Sequence, residues 1–516
     1  MEQNHSVSEQ APDKFWVVGI AALLALYCSL FLFIPALPFL DLPNHLARNF
    51  IISELGRDQV FDAWFSFTPK FTPYVLGDIL FSCLISAVGP EAAARIWVIG
   101  CFLGFVAAAS FYARAAGLSP VSVRVVELIS IFLATNWFFL SAFSHFVIGC
   151  FLSIFALAYL QLLLNESGRL SLLRSLLYFL LVMSTFLMHL ASAVFCGLIT
   201  VSVLAWRLRF TRLNPKVIVA VMLPHVVTGI CYIMRRVSNS TTYYGWEFRP
   251  FWEKLTAMGA TFVRYDQWID LAFTAAFLAL LLLFQNRTKA SGDAVSDRIR
   301  QEHTFILFVL GAAYLALPVA VNTLSDIDTR TLPYLAFFAM IAACAAPAQL
   351  LRHKHFITLA ACIPLLNFAY ISHYISRDAA FLAQYQEAFP HVPQHAKVYP
   401  VNTIADRGRI QPSLHASMGT VTSRRAIVPY ILSSNQGEPV TYFHYRTKLY
   451  EPNKFWYVRD ESIDWQQVAT EYDYVIVTRP HDQQRIGLAQ YRVAFFNDSV
   501  VLYEVLKQDR SQALLQ

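Results

Sequence analysis

The sequence predicts an all-α polytopic membrane protein with about eleven transmembrane helices and a small C-terminal α/β domain outside the membrane. Of its 516 residues, 56% are hydrophobic and only 14% are charged, whereas charged residues make up roughly 25% of an ordinary soluble domain. Apolar runs of about 17–25 residues, long enough to cross a bilayer, recur through the first part of the chain. We therefore divide it into a transmembrane domain, 1–372, and a more polar soluble domain, 373–516, called the tail.

The transmembrane domain contains eleven predicted spans, each an apolar run with few charged residues. They lie near residues 15–40, 93–113, 125–142, 146–164, 173–189, 191–206, 217–234, 269–285, 304–321, 332–350 and 356–372. The division near His189 assumes two short spans that meet at a tight turn. The first run is too long for a cleavable signal sequence, so we expect it to remain as the first span.

Basic residues indicate the orientation of these spans. Alternate connections hold clustered Arg and Lys, at residues 114–124, 169–174, 207–216, 287–300 and 352–354. By the positive-inside rule these connections are cytoplasmic. The N-terminus is then cytoplasmic and, after an odd number of spans, the tail is outside. The sequence thus predicts a protein integral to the inner (plasma) membrane with a periplasmic, or otherwise extracytoplasmic, C-terminal domain.

Three segments are expected on the outer side: the loop 41–92, the loop 235–268 and the tail. Within the first loop, Tyr74–Val88 is apolar but short and carries Asp78, which is typical of an amphipathic helix in the membrane interface. The tail holds strings rich in β-branched and aromatic residues, which predict strands. These strands lie at 472–477, 491–496 and 500–505, and a helix is predicted at 464–471. The tail shows no nucleophile–base pair, so we expect it not to perform chemistry itself.

Several kinds of partner have no support in the sequence. There is no Gly-rich phosphate-binding loop, and the net charge of +6 comes without a basic stripe or a nucleic-acid-binding motif. The eight cysteines lie in apolar stretches and form no C-x-x-C pair, so we interpret them as packing residues. We expect membrane lipid as a partner, and neither a cofactor nor nucleic acid.

The string DLPNHLAR, at 41–48, begins where the first span ends. A carboxylate at that depth is partly removed from water, which suits it to general-base chemistry. Asp41 and His45 are four residues apart, so they would share one face of a helix, and Arg48 follows within one further turn. The alternative is that Asp41 only caps a helix that has Pro43 in its first turn. The string itself leaves both interpretations open.

This string, a long first outer loop and an outer C-terminal domain together resemble the C-class glycosyltransferases. That superfamily includes the protein O-mannosyltransferases and the lipid A aminoarabinose transferases, and D-x-P-N-H-L-A-R is similar to an uncharacterised bacterial branch of it. VGPEAAARIWVIG at 88–100 and TRTLPYLAFF at 329–338 fit the same resemblance.

The resemblance implies transfer of a sugar from a polyprenyl-phosphate carrier to a glycan, lipid or protein acceptor outside the membrane. It makes Asp41 the catalytic base, with His45 and Arg48 in support. Many relatives have a second acidic residue directly after the first, where this chain has Leu42. Relatives that use a metal need further carboxylates nearby. Asp58, Asp62 and Asp78 could supply one, but nothing in their spacing indicates a metal site, so we expect no tightly bound metal.

Arg330 lies in the string NTLSDIDTR just before a late span. A guanidinium there could hold the carrier phosphate through two hydrogen bonds. The alternatives are an interface anchor or a partner for Asp326 or Asp328.

The stretch YYGWEFRPFWEKL at 243–255, called the aromatic loop, interleaves aromatic residues with Arg249 and Lys254. Possible substrate-binding residues are the outer His189 and three residues of this loop, Tyr244, Trp246 and Arg249. Sugar rings stack on aromatic side chains, and arginine binds phosphate. The alternative for this loop is an aromatic belt at the membrane interface.

Three functions remain open on the sequence. The first is an inverting glycosyltransferase that uses a lipid-phosphate sugar donor. The second is a transporter or flippase of a lipid-linked solute, although the sequence shows no matching halves of the kind common in transporters. The third is a non-catalytic membrane assembly factor. Replacement of Asp41 should abolish transfer by an enzyme, whereas an assembly factor would tolerate it.

Overall fold

The structure is a computed structural model, and most of its described residues are helical. It describes residues 14–165, 171–238, 246–260, 262–288, 294–321, 326–345, 354–402, 409–431, 442–447, 449, 463–478 and 490–507. Within these ranges the helices are α1 (Lys14–Phe33), α2 (Leu42–Glu54), α3 (Gln59–Trp64), α4 (Val75–Val88), α5 (Pro90–Ala115), α6 (Pro120–Ala134), α7 (Trp137–Leu140), α8 (Ser144–Asn165), α9 (Leu172–Met188), α10 (Leu190–Phe210), α11 (Pro215–Ser238), α12 (Phe251–Ala260), α13 (Gln267–Thr288), α14 (Ala294–Ala316), α15 (Leu332–Cys344), α16 (Lys354–Gln386), α17 (Gly419–Arg424) and α18 (Trp465–Glu471).

The long helices lie where the spans are predicted. Of the described helices, seven are long and apolar enough to cross a bilayer, namely α1, α5, α8, α10, α11, α13 and α16. The polytopic membrane fold is therefore confirmed, and the count of eleven stays a prediction. The division at His189 is also found, because this residue is extended (φ −160°, ψ 125°) between α9 and α10.

Local sequence explains where the helices around α5 begin and end. Helix α4 ends at Gly89, whose φ of +82° is a conformation that glycine adopts without strain. Pro90 then occupies the start of α5, where its missing N–H is no loss. Ser119 caps α6 by accepting a hydrogen bond from the backbone N–H of Ser122. The short α4 and the span α5 are therefore separate elements.

The tail contains a four-stranded mixed sheet. The strands of the described chain are β1 (Phe65–Phe67), β2 (Trp246–Glu247), β3 (Ala320–Val321), β4 (Val398–Asn402), β5 (Phe443–Tyr445), β6 (Tyr474–Thr478), β7 (Tyr491–Phe496) and β8 (Val500–Val505). The sheet order is β4-β6-β8-β7, with β4 parallel to β6 and the other neighbours antiparallel. The predicted α/β character is confirmed. Helix α16 continues to Gln386, past the predicted start of the tail at residue 373.

The tail is joined to the loop that follows α1. Strand β1 pairs antiparallel with β5, with Phe65 opposite Tyr445. Asp58 accepts hydrogen bonds from His395 Nε2 at 2.9 Å and Arg425 Nη1 at 2.7 Å, and α17 packs against α2. One hydrophobic cluster runs from the helices into the tail sheet. The tail therefore covers α2, which carries the DLPNHLAR string.

Candidate active site

Asp41 is the residue directly before α2, but its side chain does not cap the helix. Its backbone is helical (φ −94°, ψ −6°), and its carboxylate makes no capping hydrogen bond. The Asp41 N–H donates to the carbonyl of Ser141 at 3.0 Å. Its Oδ1 lies 3.2 Å from Nε2 of His415, a residue of the tail. The carboxylate is 18% exposed, so it is held between the bundle and the tail while still reached by solvent.

His45 and Arg48 extend this polar face along α2. The His45 N–H donates to the Asp41 carbonyl, and Arg48 Nη2 lies 3.2 Å from His45 Nδ1. Burial lowers the pKa of His45 well below its ordinary value, and the positive charge of Arg48 lowers it further. His45 is therefore neutral near pH 7 and accepts the hydrogen bond from Arg48.

Asp78 of α4 is the centre of this cluster and is fully buried. Its Oδ1 accepts hydrogen bonds from Arg48 at 2.7 Å, His145 at 3.1 Å and Asn49 at 3.2 Å. Its Oδ2 accepts one from the hydroxyl of Tyr442 at 2.7 Å. Burial raises the pKa of Asp78, but Arg48 and His145 lower it by more, so it lies well below its ordinary range. Asp78 therefore stays ionised and organises the cluster, and is not suited to accept a proton.

Arg330 lies in the short 3-10 turn Thr329–Thr331 directly before α15, buried beside His189. Its Nη1 is 2.6 Å from His189 Nε2, and the Tyr74 hydroxyl is 3.3 Å from the same nitrogen. The Arg330 guanidinium also lies over the rings of Phe143 and Phe146, at 5.7 and 5.6 Å from their centres. This arrangement orients the guanidinium through both a hydrogen bond and cation–π contact.

The turn between α7 and α8 connects Asp41 with Arg330. Its Ser141 carbonyl accepts the hydrogen bond from the Asp41 backbone, and its Phe143 ring lies under Arg330. Tyr74 packs against both His189 and His145, the latter at 5.8 Å between ring centres. The predicted base and the predicted phosphate-binding arginine therefore belong to one polar cluster, although no direct contact joins them.

The aromatic loop lies next to the Arg330 segment. Arg249 forms ion pairs with Asp326 at 3.1 Å and Asp328 at 3.5 Å. These two carboxylates are close to Arg330 in sequence, but their ion pairs are with Arg249. Trp246 lies in β2, paired with β3, and is 59% exposed. Tyr244 lies outside the described residues.

The sequence does not predict that the tail contributes to this region, yet three tail residues contact it. His415 contacts Asp41, Tyr442 donates to Asp78, and Arg409 lies over the ring of Trp137 at 3.7 Å. The sequence held one signal of a polar contact here, since Asn44 belongs to the same polar string as Asp41. In the structure the Asn44 amide nitrogen is 3.4 Å from His415 Nδ1. Within the described ranges, no group of three or more His, Cys, Asp or Glu side chains is arranged to hold a metal ion.

Comparison with known proteins gives a structural likeness and no sequence match. No protein-family model matches the chain, and no curated protein matches it. The structure is similar to ArnT from Cupriavidus metallidurans bound to undecaprenyl phosphate, with 12% identity, a TM-score of 0.55, and coverage of 96% of this chain and 98% of that one. It is equally similar to the apo state of the same ArnT, at 11% identity and a TM-score of 0.55. At this identity the likeness shows the fold, which is the one expected from the resemblance to the aminoarabinose transferase group.

Proposed function

We propose that the protein is an inverting membrane glycosyltransferase that moves a sugar from a polyprenyl-phosphate carrier to an acceptor hydroxyl on the extracytoplasmic side. One observation carries the proposal: the Asp41 carboxylate is partly exposed, is not used by its own helix, and belongs to the same polar cluster as Arg330. The ArnT-like fold supports it, since the similar ArnT was solved with undecaprenyl phosphate.

In this proposal Asp41 is the general base. The acceptor oxygen forms a bond to the anomeric carbon while its proton passes to the Asp41 carboxylate. On the opposite face of that carbon, the bond to the carrier's phosphate oxygen breaks, and the phosphate leaves with the bonding electrons. Asp41 suits this step because a partly exposed carboxylate can meet an acceptor that arrives from water.

Arg330 would stabilise the phosphate as it leaves. Its guanidinium is held over two aromatic rings and beside His189, so little conformational entropy remains to be lost when it binds an anion. A fixed positive charge close to a developing phosphate charge lowers the barrier in a buried site.

The proposal requires that α2 and the tail lie outside the cytoplasm, as the Arg and Lys distribution predicts. An alkaline phosphatase fused to the C-terminus should then be active, and a fluorescent protein fused there should be dark. The reverse pattern would contradict the orientation and the proposed site with it.

The deciding experiment is Asp41→Asn in the purified protein, assayed for transfer from a panel of radiolabelled polyprenyl-phosphate sugars. Asparagine keeps the shape of the side chain and removes the base, so turnover should fall by roughly 10²–10⁴-fold with an unchanged melting temperature. The matched control is Asp62→Asn, in the same loop, whose carboxylate accepts a hydrogen bond from the Gly56 N–H. Wild-type turnover by Asp41→Asn would overturn the proposal, as would movement of the lipid-linked sugar across the membrane without transfer.

A further inference from the structure

The tail supplies a histidine to the proposed base. His415 is 1% exposed, and its Nε2 lies 3.2 Å from Asp41 Oδ1, off the line of a straight N–H···O hydrogen bond. His415 follows β4 by about a dozen residues and precedes α17, which packs on α2. The carboxylate of Asp41 therefore contacts a side chain of the tail and makes no capping hydrogen bond to its own helix.

The neighbours of His415 favour one arrangement of its ring nitrogens. The Asn44 amide nitrogen donates to the Tyr430 carbonyl at 2.9 Å, and this identifies it as the NH₂ end of the amide, because a carbonyl only accepts. The same NH₂ is 3.4 Å from His415 Nδ1, so a donor faces Nδ1. This arrangement favours a proton on Nε2, the nitrogen that faces Asp41.

This contact competes with helix capping. An Asp directly before a helix normally turns its carboxylate onto the first N–H groups of that helix. Pro43, the second residue of α2, has no N–H, so the N–H of Asn44 is the donor left for such a cap. A capped carboxylate would have one oxygen occupied and would point along α2. The N–H of His415 offers the carboxylate a different partner, on the side of the tail.

We propose that His415 is a positioning residue that holds the Asp41 carboxylate away from the cap of α2 and toward the acceptor. The inference rests on the proposed function, because it assigns a role beside the proposed base. It makes the tail part of the active site, although the tail does no bond chemistry.

Two substitutions of His415 separate positioning from packing. His415→Asn keeps an acceptor near Asn44 but is too short to reach Asp41, so kcat should fall by roughly 10²-fold, the usual effect of a misplaced group, while the KM of the donor changes little. His415→Gln extends an amide N–H to the place of Nε2 and should restore kcat to within about threefold of wild type. If His415 only packs, both variants should keep wild-type kcat or lose it in proportion to melting temperature, and either result would overturn the inference.

The matched control is His395→Asn. His395 is another tail histidine that contacts a carboxylate of the first outer loop, Asp58, at 2.9 Å, but it lies outside the cluster around Asp41. This variant should lower the melting temperature without changing kcat. A loss of kcat equal to that of His415→Asn would assign the effect to loosening of the tail and would overturn the inference.

Two further variants test whether His415 acts through Asp41. In an Asp41→Asn background, His415→Asn should cause no additional loss, because residues that act as one unit are not additive. If His415→Asn does not fold, His415→Leu, which keeps an apolar side chain in this buried position but offers no N–H, keeps the inference testable and should lower kcat as His415→Asn does. Full turnover by His415→Leu would overturn the inference. Wild-type turnover by Asp41→Asn would overturn the proposed function. If Asp41→Asn loses turnover but His415→Asn keeps it, only the inference about His415 is overturned.

Discussion

Gly77 lies directly against the ring of His145. A Cβ at Gly77 would come within 2.2 Å of His145 Cδ2 and 2.5 Å of Nε2, with Met188 Sδ behind it at 3.1 Å. The absence of a side chain in this turn of α4 therefore allows His145 to reach Asp78.

Gly77→Ala should displace His145 from Asp78. Overpacking of this kind costs about 1–3 kcal/mol, and the loss of one donor to a buried carboxylate adds to it. We expect a lower melting temperature together with lower turnover. The control is Gly100→Ala in α5, where a Cβ would meet no atom within 4 Å. Alanine favours a helix over glycine, so this variant should be neutral or slightly more stable. Equal effects of the two substitutions would contradict the proposed contact.

Asp78→Asn should be among the most destabilising single changes in the cluster. It removes the carboxylate that pairs with Arg48, which is 1% exposed, and breaking a buried ion pair by removing one partner costs about 3–5 kcal/mol. Thermal unfolding in detergent provides the measurement. Adding Arg48→Met to Asp78→Asn removes the buried positive charge and should recover part of the loss. A double variant less stable than Asp78→Asn would show that the ion pair is not the cause.

Arg330→Lys should be milder than Arg330→Ala. Lysine keeps the positive charge but loses the planar fork and the stacking on Phe143 and Phe146. Removal of one transition-state donor typically costs roughly 10²–10³-fold in kcat, and we expect that size for alanine and a smaller loss for lysine. The measurement is kcat and donor KM for each variant. Equal losses for lysine and alanine would argue against a role for charge at this position.

The contact between tail and outer loop at Asp58 should weaken in acid. Burial raises the pKa of Asp58, but hydrogen bonds from His395, Arg425 and the Phe61 N–H lower it by more, from 3.8 to about 2. The folded state therefore binds fewer protons than the unfolded state. The ionised Asp58 therefore contributes about 2 kcal/mol to the free energy of unfolding. This contribution is fully present above about pH 4 and is lost as the pH falls toward 2.

Asp58→Asn provides the measurement. It retains an oxygen for the cap of α3 at Val60 and Phe61, so it removes the charge and leaves the cap. Its melting temperature should lie below that of wild type at about pH 6, and the gap should narrow as the pH falls to about 3. A gap that stays constant over this range would show that the charge of Asp58 does not stabilise the contact.

Features with a local pattern were predictable from the sequence. The long helices lie at the predicted spans, the turn at His189 separates α9 from α10, and β6, β7 and β8 lie at or within two residues of the predicted strands. Each depends on hydrophobic periodicity or on turn residues over a short window. The position of α4 was predictable for the same reason.

The composition of the candidate site was only partly predictable. Asp41, His45 and Arg48 share one string, and their common face follows from helical spacing. The partners of Asp41 and Asp78 cannot be inferred from helical spacing, because they lie far away in sequence. His415 lies 371 residues from Asn44, and Tyr442 lies 364 residues from Asp78. Contacts over such separations leave no pattern in a single sequence. The capping interpretation of Asp41 was reasonable locally, but in the structure the tail offers its carboxylate a different partner.

Asp78 and Tyr442 are made at very different times during synthesis. The ribosome must add 364 residues after Asp78 before the hydroxyl that donates to it exists. Strand β1 is separated from its partner β5 by a still longer stretch of chain. A chain arrested or cut before the tail therefore inserts its helices with Asp41 and Asp78 lacking these partners. The cluster is completed only when the last third of the chain has reached the same side of the membrane as α2, so maturation of the site is a late, post-insertion event.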